Sequence, residues 1–445
     1  MSQRDDFGLA ATDSAAPTAR TAPVRRLKVR PSRTPARAEL VWPGKHEGTV
    51  LPLDRRQSSQ LNYLGARPTR LKLVKTVGED DGQNLLVRGN NQDAMSALLE
   101  GSELTRSLRR QVKLCYLDPP FNTHSRFGHY DDSVDTVFWL DSLRQCLLRV
   151  QDTLSTTGSV WLHLDDRQQH HARCLLDEIF GADAFVSTIV WQKRTSRDNR
   201  TAFSSAHDYI HVYAPAGAKT WKSIRNGLPD TGAFGNPDND PRGPWRSIPL
   251  SAQAGHGTAS QFYSIISPAG VVHAPPPGRC WTYTRARFQE LVTAGRVYWP
   301  RNGHGKPRLK RYVSEVSELA PSTLWFAEDV GENAVAKKEL LRLFPGQDAF
   351  DTPKPESLMQ RIVEIGSDPG DLVLDCYLGS GTTAAVAHKT RRNWIGVECA
   401  TRSVMEIALP RLRDVAAGHD KGGVTEAAGW KGGGGFRLID AVPNH

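Results

Sequence analysis

The sequence predicts an α/β fold in which helices cover both faces of a doubly wound, mainly parallel sheet, with a further region inserted into it. Short apolar runs that read as strands alternate along the chain with segments whose apolar residues recur at helical spacing. Two of the predicted strands end in loops that carry an acidic side chain beside Pro or Gly. Ligands bind at the carboxyl ends of strands in such folds, so both loops should belong to one crevice.

The first half of the predicted sheet lies between residues 112 and 191. A helix is indicated by apolar residues three or four positions apart, from Val137 to Leu154. A later helix should begin after Asp166, whose carboxylate suits an N-cap, and end at Gly181. In chain order we predict strand 112–116, helix 137–154, strand 159–164, helix 166–180 and strand 185–191.

The second half of the predicted sheet begins after residue 350. An Asp-Pro-Gly turn separates a helix from a strand that ends at Asp375, and a glycine-rich turn leads from that strand into the next helix. A single crevice would bring Asp118 of the first half and Gly379 of the second half together. The predicted order is helix 356–365, strand 371–375, helix 384–389 and strand 393–397.

The loop after the first strand reads Asp118-Pro119-Pro120-Phe121. Two successive prolines fix φ and remove two backbone donors, so the Asp118 and Pro119 carbonyls are held still as acceptors. The exocyclic amine of a nucleobase has two N–H donors, which the Asp118 carboxylate and the Pro119 carbonyl could accept while the nitrogen lone pair faces an electrophile. Phe121 would stack on the base. An ordinary Pro-Pro turn with a solvated aspartate could have the same sequence. The loop alone therefore leaves open whether it binds an amine or is a surface turn.

The loop after residue 375 is typical of a nucleotide-binding turn. Its two glycines let the backbone approach a ligand, and Asp375 at the strand's end can bind a polar ligand group. Glu398, at the tip of the next strand, is placed to accept both hydroxyls of a ribose. An oxidoreductase would also show a glycine turn, but the third spaced glycine of the dinucleotide fingerprint and a P-loop lysine are missing. A nucleoside-type cofactor such as S-adenosylmethionine is the better interpretation.

With both loops in place, the chain resembles the β-group amino-methyltransferases of DNA, in particular the modification subunits of type III restriction systems and related adenine methyltransferases. That family places its catalytic motif ahead of its cofactor motif, and this chain has the same permuted order. The resemblance covers residues 84–214 and 350–440. Its matching segments outside the two loops are 84–95, 159–166, 178–191, 207–213 and 352–356.

The resemblance implies a Rossmann-like, S-adenosylmethionine-dependent enzyme that methylates the N6 amine of an adenine flipped out of double-stranded DNA. The family usually has an acid where this chain has Asn90, and most often a tyrosine where it has Phe121. Carried over residue by residue, the resemblance assigns catalysis to Asp118, Pro119, Pro120 and Phe121, and cofactor binding to Asp375, Tyr377, Gly379, Gly381, Thr382, Thr383, Glu398, Lys354, Pro355 and Asn90.

Two alternatives to adenine methylation stay open at this point. The N4 amine of cytosine offers the same two donors, although an aspartate before the prolines favours adenine and a serine is commoner in the cytosine enzymes. A catalytically idle DNA-binding subunit of a modification complex is the second alternative, and the departure at Asn90 keeps it open. Cofactor binding without turnover on any DNA would favour that second alternative.

Charge and composition divide the chain into four parts. Residues 1–60 carry eleven Lys and Arg against six Asp and Glu with little periodicity, which indicates a mobile basic segment. The stretch from about 191 to 330 carries eighteen Lys and Arg against ten Asp and Glu. Aromatic residues are interleaved with these cations, a pattern that suits phosphate contacts and base stacking. The same aromatics could instead pack a small β-rich core; they are Trp221, Trp245, Tyr263, Trp281, Tyr283, Trp299 and Tyr312. The predicted parts are an N-terminal segment 1–70, a catalytic half 71–214, a target-recognition insertion 215–345 and a cofactor-binding half 346–445.

Composition narrows the class of protein without adding specificity. No run of about 18 apolar residues exists to span a membrane, and the first thirty residues lack an apolar signal region, so we expect a cytoplasmic protein. Six isolated cysteines fit reduced thiols, and we expect no metal at His163, His170 and His171 either, because this type of methyl transfer needs none. The expected partner is double-stranded DNA. The resemblance adds a restriction or other defence-system subunit and a second copy of the chain, although no heptad repeat indicates a dimer.

Overall fold

The computed structural model describes residues 39–43, 45, 67–79, 82–122, 125–126, 131–132, 135–228, 232–316, 319–346 and 352–444. Its strands are β1 Thr69–Gly78, β2 Leu85–Arg88, β3 Val112–Leu117, β4 Ser125–Arg126, β5 Asp131–Asp132, β6 Leu154–Leu164, β7 Phe185–Gln192, β8 His207–Tyr213, β9 Trp245–Pro249, β10 Ser251–Gln253, β11 Ile265–Ile266, β12 Val272–His273, β13 Arg279–Trp281, β14 Val297–Tyr298, β15 Arg308–Tyr312, β16 Leu324–Trp325, β17 Leu372–Asp375, β18 Asn393–Glu398 and β19 Gly435–Pro443. Its α-helices are α1 Asn91–Glu100, α2 Thr136–Thr153, α3 Gln169–Phe180, α4 Ala218–Trp221, α5 Arg285–Thr293, α6 Ala327–Val330, α7 Asn333–Leu343, α8 Glu356–Gly366, α9 Thr382–Lys389 and α10 Leu409–Ala416, and a π-helix, Ser403–Ala408, leads into α10.

Ten of these strands form one sheet, in the order β1-β19-β2-β18-β17-β3-β6-β8-β7-β16. The five strands β2, β18, β17, β3 and β6 run parallel to one another. β8 runs antiparallel between β6 and β7, and β1 runs antiparallel to β19 near the other end. The predicted mainly parallel sheet is therefore confirmed. The two halves of the chain meet at its centre, where β17 pairs with β3.

Helices cover both faces of this sheet. Side chains alternate along the end of β3, so that Leu114 and Tyr116 belong to one buried cluster whereas Cys115 and Leu117 belong to another. Helices α8, α9 and α10 bury apolar residues in the first cluster, and α1, α2 and α3 bury theirs in the second. One sheet with an apolar layer on each face is the doubly wound arrangement that the sequence predicts.

Two element boundaries differ from the sequence prediction. α2 ends at Thr153 and β6 begins at the next residue, so the expected loop before residue 159 does not exist. α3 begins only at Gln169, and the prediction that Asp166 is its N-cap is wrong. The carboxylate of Asp165 accepts a hydrogen bond of 2.9 Å from the Arg167 backbone N–H. This local bond favours a turn after β6 and delays the helix.

A small region with its own core leaves the large sheet after α4. β14, β15 and β9 form a three-stranded sheet within it, and a buried cluster around Trp281 and Phe288 packs in the same region. At the neck of this region, Leu228 and Leu319 exchange two backbone hydrogen bonds of 2.9 and 2.8 Å. These two bonds join the segment that leaves the large sheet to the segment that returns to it.

The chain then returns to the large sheet earlier than the predicted domain boundary at residue 345. β16 pairs in parallel with β7, and its Trp325 is 1% exposed. Trp221 of α4 lies in the same core cluster, with its ring 6.2 Å from that of Trp161. The part of the chain that lies outside the large sheet therefore contains fewer residues than the predicted insertion 215–345.

Most of the predicted N-terminal segment 1–70 lies outside the described residues. Its described part packs against the second cluster, where Trp42 is 7% exposed. The ammonium of Lys45 lies 2.7 Å from a carboxylate oxygen of Glu178 on α3 and 2.8 Å from one of Glu39. The prediction of a mobile segment did not anticipate this anchored stretch. No helix in the described ranges has the length and apolar character needed to cross a membrane.

Candidate active site

Four polar side chains meet at one edge of the large sheet. Because β2, β18, β17 and β3 are parallel neighbours, their carboxyl ends coincide. Asn90 follows β2, Glu398 ends β18, Asp375 ends β17 and Asp118 follows β3. Asp375 pairs in register with Tyr116, two residues before Asp118. The structure thus brings together the two motifs that lie far apart in the sequence.

The Asp118–Phe121 loop is fixed against the neighbouring helix. The indole N–H of Trp139 on α2 donates a hydrogen bond of 2.6 Å to the Pro120 carbonyl. Pro119 is buried, and Asn122 turns the chain with a φ of +56°. With the Pro120 carbonyl already used, the Asp118 carboxylate and the Pro119 carbonyl are the acceptors to consider for a ligand.

Lys354 contacts the predicted catalytic loop directly. Its ammonium lies 2.5 Å from Asp118 Oδ2 and 5.3 Å from the centroid of the Phe121 ring. Only 8% of the Lys354 side chain is exposed. An ammonium donates N–H groups just as an exocyclic amine does, so Lys354 fills the place that the sequence assigned to the amine of a base. The sequence had placed Lys354 only with the cofactor, and no local pattern indicates its ion pair with Asp118.

Beneath Phe121 lies a polar chain of four side chains, of which Tyr116, His163 and Asp208 are buried and Lys193 is half-buried. The His163 ring is 5.9 Å from the Phe121 ring, and its Nδ1 lies 2.8 Å from the Tyr116 hydroxyl. Its Nε2 lies 3.4 Å from Asp208 Oδ2, and Lys193 Nζ lies 2.6 Å from Asp208 Oδ1. Burial acts to raise the pKa of Asp208, but His163 and Lys193 outweigh it and lower that pKa. The sequence considered His163 only as a metal ligand and missed this support of the stacking ring.

The glycine turn after β17 adopts the backbone that the sequence predicts. Gly379 and Gly381 have φ values of +53° and +81°, in the left-handed region that favours glycine. A Cβ atom on Gly381 would also lie 3.3 Å from the Cβ of Ala408. The Glu398 carboxylate accepts hydrogen bonds of 2.8 Å from the backbone N–H groups of Gly379 and Ala400. Glu398 therefore holds the turn, and its role toward a ribose stays a prediction.

Asp375 is a buried carboxyl at the centre of the crevice. It is 3% exposed and accepts a hydrogen bond of 2.9 Å from the Tyr377 backbone N–H. Burial, together with the nearby Asp118 and Glu398 carboxylates, raises the pKa of Asp375 to about 7. A positively charged ligand bound here would favour the ionised form of Asp375.

The remaining predicted cofactor residues have structural partners that the sequence did not show. The Thr382 hydroxyl accepts a hydrogen bond of 2.9 Å from Arg411, and the Thr383 hydroxyl lies 3.4 Å from the Met359 sulfur. Pro355 directly precedes α8, where its fixed φ suits a helix start.

Asn90 serves as the N-cap of α1. Its side-chain oxygen accepts hydrogen bonds of 2.9 and 3.3 Å from Gln92 N and Asp93 N. Because its oxygen is used by the N-cap, Asn90 presents its amide NH₂ group, a donor, to a ligand. An acid at this position would present a second acceptor oxygen instead.

An ionic cluster that the sequence missed lies behind the glycine turn. Glu356, Lys389, Arg411 and Asp420 are each no more than 1% exposed. Lys389 Nζ lies 2.8 Å from Glu356 Oε2 and 2.7 Å from Asp420 Oδ2, and an Arg411 nitrogen lies 2.8 Å from Glu356 Oε1. The cluster joins α8, α9 and α10 and balances two acids with two bases.

The aromatics proposed for base stacking are mostly inside the molecule. Trp245, Trp281 and Tyr312 are 5%, 3% and 1% exposed, so base stacking by these three is wrong and core packing is correct. Tyr263, Tyr283 and Trp299 are partly buried against the cluster around Trp281. Contact of this region with DNA stays a prediction. Side chains other than these three buried aromatics would have to make it.

No group of His, Cys, Asp and Glu in the described part of the chain is arranged to hold a metal ion. The rings of His170 and His171 lie 3.9 Å apart at the start of α3, although successive residues of a helix do not face each other.

A family model and several known proteins are similar to this chain. A family model described as a DNA methylase matches residues 112–408. The StyLTI Mod subunit of Salmonella typhimurium, a type III restriction-modification enzyme, is 28% identical over 68% of this chain and 49% of its own length. The type II methyltransferase M.EcaI of Enterobacter cloacae is 27% identical over 83% of this chain and 77% of its own length. Among solved structures, the PvuII DNA methyltransferase (cytosine-N4-specific) is 14% identical with a TM-score of 0.42, over 82% of this chain and 98% of that one. The chain spans about half the length of the Salmonella relative.

Proposed function

Because the chain belongs to the N6/N4 DNA methylase family, we propose that it transfers a methyl group from S-adenosylmethionine to the N6 amine of an adenine flipped out of double-stranded DNA. The observation that carries the proposal is the pairing of β3 with β17, which sets the acceptors of the Asp118–Phe121 loop beside the glycine turn. An aspartate before the two prolines favours adenine over cytosine. S-adenosylmethionine supplies the electrophilic methyl group when it is bound.

In the proposed mechanism, the protein orients the amine and stabilises the charge that develops on it. The Asp118 carboxylate accepts one N–H of the amine and the Pro119 carbonyl accepts the other, so the nitrogen lone pair is turned toward the glycine turn. Phe121 stacks on the flipped base and repays part of the cost of unstacking it. Both acceptors carry negative charge or a negative dipole end, which stabilises the positive charge on the nitrogen until the methylated amine loses one proton to solvent.

The proposal is tested by identifying the methylated nucleoside. The purified protein is incubated with methyl-labelled S-adenosylmethionine and unmethylated genomic DNA, which is then digested to nucleosides for mass spectrometry. Label in N6-methyladenine is the expected result. Label in N4-methylcytosine would keep the mechanism and replace the base, and absence of label would favour a non-catalytic DNA-binding subunit.

Lys354 should compete with the target amine for Asp118. Replacing Lys354 by methionine removes an ion pair of 2.5 Å that the amine must otherwise displace. A hydrogen bond to a charged group contributes about 1.5 kcal/mol, so the flipped state should gain on the order of ten-fold in population without cofactor. The fluorescence of 2-aminopurine at the target position measures this population. Lys337→Met, on the exposed face of α7, is the matched control and should behave as the wild type. An unchanged flipped population in Lys354→Met would contradict the competition.

Cofactor affinity should depend on pH through Asp375. Because the pKa of this carboxyl is raised to about 7, it is largely protonated below that pH and ionised above it. A cationic sulfonium favours the ionised form, so binding should release a proton, and affinity should rise by up to about ten-fold between roughly pH 6 and pH 8. Calorimetric titration measures both quantities.

The control for this pH dependence is S-adenosylhomocysteine, which has the same amino and carboxyl groups but no positive sulfur. Its affinity should vary less over the same range. Asp375→Asn should remove the difference between the two ligands. Equal pH profiles in the wild type would show that Asp375 does not sense the sulfonium.

The relatives also suggest the biological setting of this activity. Because the StyLTI relative is a Mod subunit of a restriction-modification enzyme, we include a restriction subunit among the proposed partners, with double-stranded DNA as substrate. A homodimer stays a prediction from the family resemblance.

A further inference from the structure

One exposed aromatic side chain has no role in the proposed chemistry. Phe203 is 93% exposed, the highest fraction among the large hydrophobic side chains that the structure describes. It lies between β7 and β8, in residues 193–206, which we name the β7–β8 loop. The sequence did not single it out, because the aromatics it favoured for base stacking are the ones that turn out to be packed.

The β7–β8 loop holds Phe203 in a defined position. The backbone N–H of Asp198 donates a hydrogen bond of 2.9 Å to the Ser204 hydroxyl. The Thr201 hydroxyl donates to the Phe203 carbonyl (3.0 Å) and to the Asp198 carbonyl (3.1 Å). These bonds close a tight turn around Phe203, so its ring is presented to solvent from an ordered backbone.

The loop lies on the same edge of the sheet as Asp118. β3 and β6 are parallel, and β8 is antiparallel to both β6 and β7, so β7 points the same way as β3. The end of β7 is three strand spacings from the end of β3, or roughly 14 Å. Lys193, the first loop residue, pairs with Asp208, which contacts His163 beneath the Phe121 ring. The loop is therefore anchored to the support of the proposed stacking ring.

The charge around Phe203 points to a polyanionic partner. The β7–β8 loop contains Lys193, Arg194, Arg197 and Arg200 against the single acid Asp198, a net charge of +3. The Arg200 side chain is 88% exposed and pairs with Asp198 at 2.9 Å, and Lys193 pairs with Asp208, so Arg194 and Arg197 are the loop cations that no described ion pair neutralises. Cationic side chains suit phosphates, and an apolar ring among them suits the stacked bases between two phosphate strands.

We propose that Phe203 inserts into the DNA duplex at the target site and stacks in the space that the flipped base leaves. This inference rests on the proposed function, since it assumes that a base is flipped into the crevice at Asp118. Phe203 acts as a positioning residue: its ring stabilises the opened duplex and does not touch the reacting amine. Inserted apolar side chains stabilise unstacked steps in this way in other DNA complexes.

The test measures base flipping directly. Duplexes that the wild type binds are selected from a random-sequence pool, a step that does not depend on methyl transfer, and 2-aminopurine replaces each candidate target base. Phe203→Ala should lower the flipped population about ten-fold, because a base–aromatic stack is lost. Phe203→Leu keeps an apolar wedge and should lose less. Val74→Ala is the matched control and should flip the base as the wild type does, since Val74 is another exposed hydrophobic residue, at 46% exposure, on β1 at the opposite end of the large sheet.

A mismatched base opposite the target separates a wedge from a merely structural role. A mismatch lowers the cost of unpairing the target, so it should restore flipping by Phe203→Ala to within about two-fold of the wild type. A loss of loop structure that weakens DNA binding would lower the affinity for matched and mismatched duplexes alike, whereas loss of the wedge alone should leave the affinity for the mismatched duplex near that of the wild type. Wild-type flipping in Phe203→Ala, or an equal defect on matched and mismatched duplexes, would overturn the proposal.

Failure of this inference is distinguishable from failure of the proposed function. A wild type that flips its target in a Phe203-dependent way but methylates no base would support the wedge and reject the methyltransferase activity. A wild type that methylates DNA while Phe203→Ala flips normally would reject the wedge alone. A wild type that neither flips nor methylates would reject both.

Discussion

The Asp118→Ala variant is expected to lose methyl transfer by about 10²–10³-fold, because it removes one of the two acceptors that orient the amine and stabilise its developing charge. Cofactor affinity should change little at roughly pH 8, where Asp375 is ionised with or without the neighbouring Asp118 carboxylate. Transfer of labelled methyl groups to DNA measures the first effect, and calorimetric titration measures the second. Asp118→Asn retains one acceptor oxygen and should show an intermediate loss.

The control for Asp118 is an acidic residue at the end of the neighbouring strand. Asp166 is exposed and follows β6, so Asp166→Ala removes one negative charge from the same edge of the sheet. It should retain the wild-type rate. Full activity in Asp118→Ala would contradict the assigned mechanism, and an equal loss in both variants would point to a general charge effect.

The Lys389→Met variant should show the largest loss of stability. The Lys389 ammonium is 0% exposed and contacts Glu356 and Asp420, so its removal leaves two buried carboxylates with only Arg411 to balance them. Breaking a buried ion pair in this way costs about 3–5 kcal/mol in the free energy of unfolding. The midpoint of urea-induced unfolding, followed by tryptophan fluorescence, measures the change.

A double variant tests whether charge balance causes that loss. Lys389→Met combined with Asp420→Asn removes one base and one acid, and the cluster stays neutral. The double variant should therefore be more stable than Lys389→Met alone. The double variant could instead lose, relative to the wild type, the sum of the stabilities lost by Lys389→Met and by Asp420→Asn. In that case packing, and not charge balance, explains the effect.

The sequence predicted the strands of the catalytic edge well because periodicity and turn residues report local structure. The predicted strand 112–116 is followed closely by Asp118, the predicted strand 371–375 ends at Asp375, and both lie where the pattern placed them. The prediction of an N-cap at Asp166 failed, because an acid that caps a helix and an acid that closes a turn cannot be distinguished in the sequence. Only the geometry after β6 separates the two.

The unpredicted parts of the candidate site depend on contacts across the chain. Lys354 meets Asp118 from far along the sequence, and no local pattern indicates that pair. Trp281 and Phe203 are both aromatic residues in a basic stretch, yet one is 3% and the other 93% exposed. Burial is decided by tertiary packing, so the sequence could not tell which ring faces the solvent.

The reciprocal hydrogen bonds between Leu228 and Leu319 bear on how such a protein can diversify. They join main-chain atoms only, so the neck can close regardless of which side chains lie beyond it. The entropic cost of closing a loop rises slowly with its length. Recombination could therefore exchange the whole inserted region for one of another size or surface while the catalytic sheet is preserved. On the prediction that this region recognises the target, such an exchange would change the target preference in one genetic step.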